Sequence, residues 1–144
     1  MRPIDLIVVH HSASSPKTTV AQIRKWHVDD HGWSDIGYHR IIVGDGSVWD
    51  GRPVQASGAH SRGSNKSSIG ICVTGDNTVS DYRWTEAQHK ALEHTLLYYA
   101  DLYPAARVCG HRDTPRASTL CPGLDIGEWC RERGVPVMLL PPDN

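Results

Sequence analysis

Nine histidines and four cysteines in a chain of 144 residues invite a metal reading. Three groups stand out because each falls at the end of a predicted strand or in the loop after one: His10-His11, His39, and His111 with Cys121. Imidazole and thiolate are favoured ligands of zinc, and three protein ligands with one open position make a catalytic site where four make a structural one. Water on such a metal loses its proton near neutral pH, and the metal polarises an amide carbonyl. Successive side chains on a strand point to opposite faces, so His10 and His11 cannot both serve one site unless the strand has already ended. There is no Cys-x-x-Cys pair and no His-Glu-x-x-His helix. On spacing alone, two readings stand side by side: a metal site, or strand-end histidines with satisfied hydrogen bonds and Cys121 as a small buried hydrophobe. No Gly-x-Ser-x-Gly elbow occurs, which argues against a serine hydrolase.

The elements that must position these residues alternate along the chain, which predicts an α/β fold. Residues 4–10 form a short apolar run suited to a strand buried on both faces. Thr19-Val-Ala-Gln22 is a capping box that opens a first helix, with Val20, Ile23, Trp26 and His27 as its apolar positions and His31-Gly32 as its stop. Residues 38–43 and 47–50 flank Gly44-Asp45-Gly46 and predict a hairpin. The Gly/Ser-rich stretch 53–68 reads as a long loop of the functional or mobile kind, and residues 69–74 as a strand. A second capping box, Thr85-Glu-Ala-Gln88, starts a helix whose inner face is read as Ala87, Ala91, Leu92, Leu96, Tyr99 and Leu102. Residues 106–110 form a strand that ends at His111. Asp125 caps a last helix in which Trp129 faces inward. The expectation is a single domain over residues 1–135, with a central mixed sheet of about five strands, about three flanking helices and the zinc site at one edge of the sheet. Residues 136–144 read as a loosely held Pro-rich tail.

Composition narrows the function. A near-neutral net charge, with no basic stripe, excludes the electrostatic footprint of a nucleic-acid binder. The apolar run of residues 6–9 is too short for a signal-peptide core, and no stretch approaches a membrane span. The protein is therefore expected to be made in the cytoplasm, without membrane insertion and as a monomer. In that compartment Cys72, Cys109, Cys121 and Cys130 read as free or metal-bound thiols rather than two disulfides.

Six stretches, in order, resemble the type 2 N-acetylmuramoyl-L-alanine amidase family, which includes phage lysozyme-type amidases and is related to peptidoglycan recognition proteins. They are Val8-Val-His-His-Ser-Ala-Ser14, Gly37-Tyr-His-Arg-Ile-Ile42 with Asp45-Gly46, Gly58-Ala-His-Ser-Arg-Gly-Ser-Asn65, Ser68-Ile-Gly-Ile71, Gly110-His-Arg-Asp113 and Cys121-Pro-Gly123. The resemblance runs from about residue 7 to residue 129. It implies Zn2+ held by His10, His111 and Cys121, with His10 chosen over His11 because the family's ligand directly follows the apolar run. It implies that Tyr38 hydrogen-bonds the metal-bound water or the developing oxyanion, and that Thr119 helps stabilise the oxyanion. Thr119 is a departure, because phage-type relatives often carry lysine there whereas catalytic recognition proteins carry threonine. His60, Asn65 and Arg62 are implied near the substrate groove, and Arg40 and Arg116 are further candidates for stem-peptide carboxylates. Asp113 is read either as orienting a ligand or as capping its loop. The implied activity is hydrolysis of the amide between N-acetylmuramic acid and L-alanine in peptidoglycan, by a phage or prophage endolysin that reaches the periplasmic wall after membrane permeabilisation. The alternative is a non-catalytic recognition module. Such relatives typically lose the cysteine ligand, which is present here. Recycling amidases that use aspartate as third ligand differ at both Cys121 and Tyr38.

Overall fold

The computed structural model describes residues 2–141. Five strands form one mixed sheet: β1 (Leu6–His11), β2 (Arg40–Ile42), β3 (Val48–Asp50), β4 (Ser68–Val73) and β5 (Arg107–Gly110), in the spatial order β3-β2-β4-β1-β5. β1 runs parallel to β4 and β5, β2 is parallel to β4, and only β3 is antiparallel. β4 is buried along its whole length and β1 along almost all of it, as strands covered on both faces must be.

One face of the sheet carries Ile7, Val9, Ile69, Ile71 and Val73. It packs against Leu92 and Leu96 of α2 (Glu86–Leu102) and against Ile126 and Trp129 of α3 (Ile126–Arg133). The other face carries Ile41 and Cys72, which meet Ile23 of α1 (Val20–Arg24) and Ile36. Both predicted capping boxes are formed, at Thr19 and Thr85. The hairpin closes through Val43 N–H to Ser47 O at 3.0 Å, with Gly46 at φ +88° supplying the left-handed residue of a three-residue turn.

Three local expectations are corrected. The first helix spans the expected residues but winds as α only to Arg24; Lys25–Asp30 is π-helical, and only Ile23 is buried along it. The wider turn changes which residues face inward. On α2, Ala87 and Leu102 are exposed, while the buried stripe includes Gln88. That amide donates to Thr74 O at 2.7 Å and Ile42 O at 3.2 Å, so it is satisfied where an apolar residue would leave carbonyls short of a partner. The tail is held as far as Leu140: Val108 N–H donates to Met138 O at 2.7 Å and Leu140 N–H to Val108 O at 3.0 Å. β5 is an edge strand with free backbone groups, and pairing satisfies them. Residues 142–144 lie outside the described residues. All four cysteines are free.

Candidate active site

The parallel strands β1, β4 and β5 deliver their carboxyl ends to one side of the molecule, the usual place for a site in an open α/β sheet. Strand alternation separates the two adjacent histidines. His10 turns to the α1 face, whereas His11 accepts from Asn77 N–H at 3.2 Å through Nδ1 and lies 3.7 Å from Asp76. His111 follows β5 directly and opens a short 3-10 turn closed by Gly110 N–H donating to Asp113 Oδ2 at 3.0 Å. Asp113 is therefore the loop cap. The loop beyond returns so that Arg112 N–H donates to Cys121 O at 2.8 Å, and Asn77 Nδ2 ties down Pro122 O at 2.9 Å.

These connections bring His10, His111 and Cys121 together, with one ligand atom from each within 4.8 Å of the others. His10 Nδ1 and Cys121 Sγ are 3.8 Å apart. A tetrahedral zinc with bonds of about 2.0 Å to nitrogen and about 2.3 Å to sulfur needs about 3.5 Å between such atoms. The set therefore fits a metal of that kind with little movement. Burial, reinforced by His60 and His111, holds His10 well below the ordinary histidine range, so it is the neutral imidazole a metal requires. Burial pushes the Cys121 thiol up to about 12, against the pull of His11 N–H donating to Sγ at 3.3 Å. A bound cation must displace that proton. His39, grouped with these residues by its position in the sequence, is not in the cluster. It is fully buried, accepts from Gly70 N–H at 2.9 Å and donates to Ala56 O at 2.8 Å, which makes it a tie between β4 and the loop after β3.

The cluster opens on a cleft of about 370 Å³ lined by Tyr38, His27, Trp33, Ser61, Arg62 and Asn65, among others. A roomier groove of about 940 Å³ between residues 15–21 and Trp49 contains no histidine or cysteine, so chemistry selects the smaller cleft. The Tyr38 ring lies 5.1 Å from that of His10. Burial, with Cys72 and Cys121 adding to it, holds the Tyr38 phenol well above its ordinary value, so it stays a protonated donor. His27 reads from the sequence as one of the apolar positions of the first helix, with no role in a site. It lines the cleft, accepts from Gly37 N–H at 2.9 Å and packs 4.7 Å from Trp33. Its orientation depends on the π-helical turn, for which the sequence carries no clear signal.

The remaining predicted residues divide. Thr119 is exposed, and its Oγ1 accepts from Cys121 N–H at 3.1 Å, leaving its own hydroxyl proton free. Arg62 is exposed at the cleft wall. The Asn65 side-chain oxygen accepts from the backbone N–H of His60 and of Ser61, both at 2.9 Å, so its carboxamide shapes the loop. His60 is buried, with both ring nitrogens engaged by His10 and Ser68. Arg40 is on the opposite side of the sheet, over the Tyr99 ring and 3.4 Å from Asp50, and does not reach the cleft.

Fold and cleft together define an α/β protein organised around a candidate metal centre with an open side, the arrangement a hydrolytic metal site requires. Comparison with known proteins gives the particular family. The family model described as N-acetylmuramoyl-L-alanine amidase matches residues 1–124. The endolysin of Escherichia phage T7 is 38% identical over 130 residues, covering 87% of this chain and 84% of the relative. Peptidoglycan-recognition protein SC2 of Drosophila melanogaster is 36% identical over 129 residues, covering 83% and 68%. Among solved structures, the Ph2119 endolysin of the Thermus scotoductus phage Ph2119 superposes with a TM-score of 0.82 at 30% identity, covering 92% of this chain and 86% of the other. The chain belongs to the N-acetylmuramoyl-L-alanine amidase family.

Proposed function

We propose that this cleft hydrolyses the amide bond between N-acetylmuramic acid and L-alanine in peptidoglycan, with Zn2+ held by His10, His111 and Cys121. The observation that carries this reading is the complete donor set, two neutral imidazoles and a thiol, gathered beside a protonated tyrosine in one cleft. When bound, zinc supplies a Lewis acid and makes water a nucleophile near neutral pH. The chain's own residues do the rest. His11 N–H steadies the Cys121 sulfur. Tyr38 donates its phenolic proton to the carbonyl oxygen as negative charge develops there, which counts most in a partly water-excluded cleft. Thr119 accepts from Cys121 N–H, which leaves its own hydroxyl proton to donate to the oxyanion. Arg62, at the cleft wall, would meet a stem-peptide carboxylate.

On the same reading the protein is a phage or prophage endolysin. It acts as a monomer, is made in the host cytoplasm and meets the periplasmic wall once the membrane has been permeabilised. The support is its likeness to phage endolysins over most of both chains. None of the described helices is long and apolar enough to cross a membrane.

Product analysis tests the proposal. Purified peptidoglycan is digested with and without a zinc chelator, and the soluble fragments are read by mass spectrometry. Free stem peptides beginning at L-alanine, released only with metal present, are the expected result. Retention of the protein on intact peptidoglycan without release would instead favour a recognition module. Cut sugars or cut cross-bridges would keep the fold and overturn the scissile bond.

A further inference from the structure

The His60 ring is seated with more care than a cleft-lining histidine needs. Its Nδ1 lies 2.8 Å from His10 Nε2, and its Nε2 lies 3.1 Å from Ser68 Oγ. The two imidazoles meet edge to face at 84°, their centres 4.9 Å apart. Two glycines make the slot: a Cβ at Gly58 would lie 2.6 Å from the His60 ring, and one at Gly70 would lie 2.5 Å from it. The loop that carries His60 is fastened from two sides. Asn65 Oδ1 holds the His60 and Ser61 N–H groups. Arg2 donates to Val54 O at 2.9 Å and Ser68 O at 2.8 Å.

We infer that His60 is a positioning residue for His10, fixing both the orientation and the tautomer of the ring whose Nδ1 faces Cys121. A neutral imidazole carries one N–H. His10 can present a lone pair at Nδ1 only if its proton sits on Nε2, and that proton needs an acceptor in a buried place. His60 Nδ1 is that acceptor. His60 then carries its own proton on Nε2 and donates it to Ser68 Oγ, whose hydroxyl rotates to receive it. The opposite direction of the chain, with Ser68 donating to His60, would leave the proton on His10 Nδ1 and block the ligand position. Partners of this kind orient metal-bound histidines and set their ligand strength. A neutral histidine in that place adds no negative charge to the site. His60 therefore has no ring nitrogen left for substrate, and its contribution reaches the reaction through His10.

This rests on His10 being a metal ligand but not on the identity of the bond cut, so the test uses no substrate. Zinc affinity is measured by competition with a chromophoric chelator on wild type, His60→Ala and His60→Asn, with circular dichroism to check folding. Removing such a partner is expected to weaken zinc about 10- to 100-fold. His60→Asn, whose side-chain oxygen falls near the Nδ1 position, is expected to recover most of the loss. A folded His60→Ala with affinity within about threefold of wild type would overturn the inference, as would a His60→Asn no better than His60→Ala. A second reading needs no variant: in the zinc-loaded wild type, nitrogen-edited NMR should show the His10 Nε2–H proton coupled across its hydrogen bond to His60 Nδ1. Absence of that coupling, with the proton resolved, would also overturn it. If zinc binding behaves as expected but no stem peptide is released from peptidoglycan, the proposed amidase function fails and the assignment of His60 stands.

Discussion

Gly70→Ala puts the seating of His60 under direct strain. Gly70 is a strand residue outside the positive-φ set, so alanine can adopt its backbone, and the change should by itself stabilise by about 0.4–1 kcal/mol through the unfolded chain. The new methyl, however, would lie 2.5 Å from His60 Cγ, 2.6 Å from Cδ2 and 2.7 Å from Nδ1. Carbon atoms at optimal separation sit about 3.5–4.0 Å apart, so the ring must retreat by about 1 Å. Its surroundings are tight, since a Cβ at Gly58 would also lie 2.6 Å from the ring. A shift of that size stretches the 2.8 Å contact with His10 beyond hydrogen-bond range. Overpacking costs about 1–3 kcal/mol, and an unpaired buried nitrogen about 1–3 kcal/mol more. The clash outweighs the backbone gain, leaving a net loss of about 1–5.5 kcal/mol. Urea unfolding of metal-free wild type, Gly70→Ala, His60→Ala and the double variant reads this as a cycle. The Gly70→Ala step should be costly with His60 present and close to neutral, or stabilising, once His60 is alanine. An equal cost in both backgrounds would refute the argument that Gly70 exists to admit the ring.

Other outcomes follow from the same geometry. Cys121→Ala should leave the fold intact while metal content and activity both fall to background, read by atomic absorption and peptide release. Tyr38→Phe should keep its metal and lose about 100-fold in kcat, as expected for one lost donor to developing charge; a fully active variant would remove the tyrosine from the mechanism. Gln88→Leu should destabilise by about 2–3 kcal/mol in urea unfolding, because it leaves Thr74 O without its 2.7 Å donor and breaks the cap at Thr85. His39, buried among Arg2, Arg40, Arg52 and His60, has its pKa lowered from 6.5 to about 4, mainly by loss of water around the ring. The unfolded chain then binds the proton first as pH falls. The stabilisation is complete above pH 6.5 and is lost toward pH 4, about 3 kcal/mol in all. An NMR titration of the His39 ring with a midpoint near 6.5 would contradict this.

What the sequence by itself determined is what a few neighbouring residues encode. The apolar runs of β1, β4 and β5 are continuous because both sheet faces are covered, and that continuity is visible without coordinates. The capping boxes at Thr19 and Thr85, the left-handed Gly46 and the opposed facing of His10 and His11 are likewise local geometry. Tertiary structure decided whatever depends on partners distant in the chain. His10 meets His60 across 50 residues and Cys121 across 111, and strand order together with the tied loops beyond the strands brings them together. The same applies to Gln88, read as a cap and found also to satisfy the carbonyls of Ile42 in β2 and of Thr74 just beyond β4, and to Arg40, whose guanidinium is taken up by the Tyr99 ring of α2. It applies to His39, whose type and position suggest a ligand but whose nitrogens go to Gly70 and Ala56. A histidine's chemistry is set by what its two nitrogens face, and for these residues that is fixed only when the sheet closes its loops over the cleft.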